Sequence, residues 1–94
     1  MFDIKACGRR IKTLRNLYGL TQEKLAEEMG ITDVHLRRIE SGIRGASIDL
    51  LIEFAEYFQV SLDYLILGKG GREDKVKEEL NEIKDHLDRI IRLL

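Results

Sequence analysis

The sequence predicts an all-α protein. Three observations carry that expectation. The 94 residues contain no proline, and apolar residues recur every three or four positions along most of the chain. The second to fifth apolar stretches each open at a serine or threonine, and glycine closes most of the breaks. An all-β domain of this size without proline to punctuate it would be unusual. Apolar residues at that spacing line one side of a helix, and a Ser or Thr hydroxyl satisfies the free N–H groups at a helix start.

Ile4, Ala6 or Cys7, Ile11, Leu14 and Leu17 mark a first helix that ends near Gly19. A second helix is read over Thr21–Met29. Thr21 is its cap, Glu23 lies where the helix dipole favours negative charge, and Leu25, Ala26 and Met29 form its apolar face. Gly30 is placed to end it in the left-handed conformation. A third helix, Thr32–Glu40, carries Leu36 and Ile39 inward and stops at Ser41-Gly42. After the loop Ile43–Ala46, Ser47 opens a fourth helix with Ile48, Leu51, Phe54, Ala55 and Phe58. Ser61 opens a short fifth with Leu62 and Leu65. Tyr57, Tyr64, Ile52 and Ile66 suit either core packing or a subunit contact.

Gly68-Lys69-Gly70-Gly71 reads as a flexible joint. The expected organisation is therefore a globular domain over 1–68, a Gly-rich linker over 69–72 and a C-terminal helix over 73–94. On that last helix Leu80, Leu87 and Leu94 occupy heptad position a, and Val76, Ile83 and Ile90 occupy position d. A helix of about 20 residues is marginal alone in water, so the stripe is expected to be covered. The reading is an oligomerisation helix forming a coiled coil, in a homodimer. In a parallel pair Glu79 would meet Lys84 of the partner subunit. Leu at a with Ile at d also suits higher oligomers, and Ile91 and Leu93 widen the stripe, so a tetramer stays open. So does an antiparallel pair, or a tail lying back on its own domain.

Composition narrows the function. The formal net charge is −1, but it is unevenly spread. Residues 1–44 hold nine Lys and Arg against six Asp and Glu, a net of +3, while residues 45–70 hold one against four. The front of the chain can therefore face phosphate. The lone Cys7 excludes an intramolecular disulfide and fits a reducing cytoplasm, where it reads as a small apolar core residue. No apolar run approaches the length of a membrane span. His35 and His86 are far apart and poorly accompanied, so no metal site is expected. No nucleophile–base pair, metal-ligand spacing or phosphate loop appears, so neither enzyme activity, a cofactor nor a small-molecule ligand is expected.

The second and third helices, joined by a tight turn at Gly30-Ile31, form a helix-turn-helix, whose second helix is sized for the DNA major groove. Leu36 and Ile39 point to the core, leaving Asp33, Val34, Arg37 and Arg38 on other faces. Two short helices joined this way also occur in ordinary bundles, so spacing alone leaves the question open.

Particular residues add to it. The stretch Ile11–Ile66 contains Leu20-Thr21-Gln22-Glu23-Lys24-Leu25-Ala26, Arg38-Ile39-Glu40-Ser41-Gly42 and Val60-Ser61-Leu62-Asp63-Tyr64-Leu65. It closely resembles the phage-repressor (Cro/cI, XRE) helix-turn-helix family. The resemblance implies a five-helix, lambda-repressor-like DNA-binding domain, a double-stranded DNA partner, and a transcriptional repressor that binds an inverted-repeat operator as a dimer. By position it implies that Thr32, Asp33, Val34 and Arg38 read bases, and that Gln22, Ser41 and Arg44 touch the DNA backbone; Arg37, on its place in the helix, reads as a further backbone contact or as solvated. Gln22 would also buttress the third helix, and Arg15 and Glu40 match an internal ion pair. The chain departs from the family at Ile43, where a basic residue is common, at Ala46, where proline is, and at Asp33, where glutamine or arginine is.

Each reader has an alternative. Asp33 just inside a helix start is stabilising without DNA, Val34 can simply be exposed, and Arg38 can pair with an acidic neighbour. A second function class also stays open: an antitoxin or adaptor whose C-terminal helix binds a protein partner.

Overall fold

Among its described residues the computed structural model contains six α-helices: α1 (Ile4–Leu17), α2 (Gln22–Met29), α3 (Asp33–Ser41), α4 (Ile48–Phe58), α5 (Leu62–Leu67) and α6 (Arg72–Arg92). It describes residues 1–70 and 72–94, and of residues 72–75 the backbone alone. Gly71 of the expected joint lies outside the described residues, among which there is no strand.

The starts of α2 to α5 follow from four hydroxyl caps. Thr21 Oγ1 accepts from Lys24 N at 3.1 Å, Thr32 Oγ1 from His35 N at 3.1 Å, Ser47 Oγ from Leu50 N at 3.1 Å and Ser61 Oγ from Tyr64 N at 3.0 Å. Each hydroxyl satisfies an amide that has no partner inside its own helix. Thr21 and Thr32 therefore stand just outside the helices they were expected to begin, and Ser41 extends α3 by one residue. Asp3 caps α1 in the same way, accepting from Ala6 N at 3.0 Å. That backbone hydrogen bond holds the Asp3 carboxyl below its ordinary range.

Gly30, Gly42 and Gly68 end α2, α3 and α5 in the left-handed conformation. The end of α4 is different. Gln59 takes that place with φ 55°, a conformation that costs a residue with a Cβ roughly 1–2 kcal/mol.

The helices of the domain converge on one core. Ile11 and Leu14 of α1, Leu25 of α2, Leu36 of α3, Phe54 of α4 and Leu65 of α5 are its largest fully buried side chains. Cys7 lies in the same core, as expected. Burial pushes its thiol pKa up against the opposing effect of Arg10, so the thiol stays neutral. Tyr57, Tyr64 and Ile66 pack partly buried against the core, whereas Ile52 is exposed.

Two long-range contacts close helix ends that the local sequence leaves open. Arg10 Nη1 donates to Leu65 O at 3.0 Å, and the Tyr18 hydroxyl donates to Phe58 O at 3.0 Å. The Tyr18 ring also meets Phe58 edge-on, with centroids 5.0 Å apart.

At Gly8 the backbone of α1 lies close against that of α3. A Cβ there would overlap the Ile39 carbonyl oxygen and lie 2.8 Å from that of Glu40. The absence of a side chain lets the two backbones meet and sets the seat of α3.

On α6 the picture is the reverse. Val76, Leu80, Ile83, Leu87, Ile90 and Leu94 are all exposed, with Leu80 and Ile83 near 58% and 57%. The tail does not bury its stripe on its own domain. Its helix starts at Arg72, inside the segment read as linker.

Candidate nucleic-acid interface

The candidate interface is α3 with its supports. Nine residues at 1.5 Å each make a rod about 13 Å long. Its inward face is Leu36, Ile39 and Glu40, all buried. Its outward face carries Thr32, Val34, Arg37 and Arg38, which are exposed, and the half-buried Asp33.

The inward face is held by charge as well as by apolar packing. Arg15 Nε donates to Glu40 Oε2 at 2.7 Å, and Arg15 Nη2 donates to Oε1 at 3.1 Å. Both residues are buried, as the resemblance implied. Arg15 Nη1 also reaches Leu20 O at 2.8 Å, in the turn before α2. Gln22 Nε2 donates to the same Glu40 Oε1 at 3.1 Å.

From Gln22 the network continues to the surface. Its Oε1 accepts from Arg37 Nε at 3.1 Å. Arg37 Nη2 lies 3.2 Å from Glu23 Oε1 and 3.1 Å from Asp33 Oδ2. Gln22 thus buttresses α3, while one of its amide protons has no partner among the described residues. Sequence reading missed this run of contacts. The signal for it was limited to Asp33 and Arg37 one turn apart on a helix.

The other outward residues are less constrained. The Arg38 guanidinium makes no hydrogen bond or ion pair among the described residues, although it lies one residue from the network. Val34 is 47% exposed. Ser41 and Arg44 are exposed, and the Ser41 hydroxyl donates to Arg38 O at 3.2 Å. Lys5 of α1 packs beside Gly42 at the end of α3. The structure therefore brings Gln22, Asp33 and Arg37 together and leaves Thr32, Val34, Arg38, Ser41 and Arg44 facing outward around them.

A family model described as helix-turn-helix matches residues 11–65, more than half of the chain. The chain belongs to the XRE-type helix-turn-helix family. Among relatives of this helix-turn-helix chain is the HTH-type transcriptional regulator ImmR of Bacillus subtilis. It is 30% identical over 79 residues, covering 80% of this chain and 62% of ImmR. The uncharacterized HTH-type transcriptional regulator YazB of the same organism is 40% identical over 58 residues, covering 62% of this chain and 84% of YazB. This chain thus spans less than two thirds of ImmR.

Solved structures share the fold. The restriction-modification controller protein C.AhdI of Aeromonas hydrophila superposes with a TM-score of 0.62 at 28% identity, over 68% of this chain and 97% of that one. The P22 c2 repressor protein, in complex with a synthetic operator, gives 0.64 at 25% identity, over 67% and 96%.

Proposed function

We propose that this helix-turn-helix chain is a sequence-specific, double-stranded DNA-binding transcriptional regulator that acts as a repressor. The single observation that carries the reading is the two-sided character of α3. One face is locked by Leu36, Ile39 and the Arg15–Glu40 pair, and the other presents Thr32, Val34 and an Arg38 that is unpaired among the described residues. A rod of that size fits the major groove, about 12 Å wide. The name of the related ImmR and the operator held by the P22 c2 repressor structure support it.

In this reading Thr32, Asp33, Val34 and Arg38 face base edges. Arg38 offers two donors to guanine O6 and N7, and Val34 offers a methyl surface to thymine. Gln22, through its remaining amide proton, Ser41 and Arg44 hold the DNA backbone and fix the register. The reading requires no catalysis, cofactor, metal or small-molecule ligand. The chain works in the cytoplasm, and among the described residues no helix is long and apolar enough to cross a membrane.

Two copies act together. The exposed a/d stripe of α6 supports a homodimer through a coiled coil, with a tetramer as its extension. Twofold symmetry then demands an inverted repeat whose half-sites lie about 34–36 Å apart. The same stripe supports a second reading, an antitoxin or adaptor that binds a protein partner through α6.

Selection of bound sequences from a random DNA pool by the full chain tests the proposal. The expected result is an inverted repeat with one turn between half-site centres. No enrichment would remove the repressor reading and leave the second one.

A further inference from the structure

Two adjacent arginines of α3 are treated differently by the fold. Arg38 is unpaired among the described residues. Arg37, also exposed, is held by three acceptors from two helices. Its Nε donates to Gln22 Oε1, and its Nη2 faces both Glu23 Oε1 and Asp33 Oδ2. A guanidinium has five donors in a fixed fork. Two of its nitrogens, Nε and Nη2, are engaged by these acceptors, and one side chain links the starts of α2 and α3.

We propose that Arg37 is a specificity-determining positioning residue that aims and neutralises Asp33 for base reading, and is not itself a phosphate contact. The proposal deepens the DNA-binding reading and rests on it. Duplex DNA carries one negative charge per 1.7 Å or so of its axis, so a bare carboxylate at the start of an inserted helix is repelled. Paired with Arg37, Asp33 enters without that penalty. Its Oδ2 faces Arg37, which leaves Oδ1 to accept. In the major groove the complementary donor is an exocyclic base amine, with cytosine N4 the expected one. A lysine at 37 would keep the charge but could not span three acceptors in the arginine's fixed planar geometry.

The test uses the full chain and two measurements. One is base preference from a random pool, and the other is affinity for the selected site across a salt series. Arg37→Ala and Asp33→Asn should each lose, by about fivefold or more, the preference at one and the same base pair. The double variant should lose no more than either single one. Arg37→Lys should behave like Arg37→Ala, and the salt slope of Arg37→Ala should stay within about 0.3 of the parent's. A slope lowered by about 0.9 with preference intact would make Arg37 a phosphate contact and overturn the proposal. So would full rescue by lysine. Asp33→Asn is isosteric and keeps the helix start folded, so unchanged preference in that variant overturns the proposal independently. A parent chain that enriches no sequence at all sinks the DNA-binding reading, and this proposal with it.

Discussion

Arg15 on α1 and Glu40 near the end of α3 form a buried, two-pronged ion pair, with Nε 2.7 Å from Oε2 and Nη2 3.1 Å from Oε1. The pair joins residues 25 apart in sequence on two helices and seats the inner side of α3. Removing one member strands a buried charge, whereas replacing both with apolar groups does not. Glu40→Ala should lower the unfolding free energy by about 3–5 kcal/mol. The joint change Arg15→Met with Glu40→Leu should cost less than either single removal. Urea unfolding monitored by circular dichroism measures both, and a Glu40→Ala midpoint equal to the parent's refutes the stabilising role.

Gly8 offers a sign reversal. Ordinarily, glycine to alanine inside a helix stabilises by roughly 1 kcal/mol. Here the new Cβ would meet the Ile39 and Glu40 carbonyl oxygens, and forced displacement of packed backbone costs about 1–3 kcal/mol. Gly8→Ala should therefore melt below the parent. A higher melting temperature would mean that α1 and α3 separate at no cost.

Arg38 and Arg44 should part company on DNA. Arg38→Ala is expected to cost about 1–3 kcal/mol on the selected operator and to relax preference at one position. Arg44→Ala should weaken all sequences alike and lower the salt slope by about one. Titrations of operator and random duplex at several salt concentrations separate the two behaviours. Equal losses on both duplexes for Arg38→Ala would strike it from the base-reading set.

The tail should govern oligomerisation. Ile83→Asp places a charge in the a/d stripe without touching the domain core, which lies within α1 to α5. Sedimentation should show this variant as a monomer, and a chain ending after Gly70 should match it. Joining two half-sites through a dimer is worth roughly 10²–10⁴-fold in affinity, so both forms should lose most operator binding. A dimer that persists at micromolar concentration in the shortened chain would assign pairing to the domain and free α6 for another partner.

The helix order, the four hydroxyl caps and the inward faces were legible in the sequence because each is settled within one turn. A Thr21 hydroxyl finds the amide three residues on whatever lies elsewhere, and a 3.6-residue period states which side of α3 must be buried. The Arg15–Glu40 pair was legible only through the resemblance, since nothing local links residues on different helices. What the tertiary structure alone decided was long-range. Gly8 looks like a weak point of α1 until the α3 carbonyls are seen against it. Gln59 closes α4 in a conformation usually left to glycine, although no local sequence signal marks it. Arg37 looked free for phosphate by its place on α3, yet it is turned towards Gln22 and Glu23 of α2. In each case the deciding atoms lie fourteen or more residues away in the chain or in backbone angles that side-chain chemistry does not announce. Periodicity carries the direction of a side chain but not the identity of what it meets.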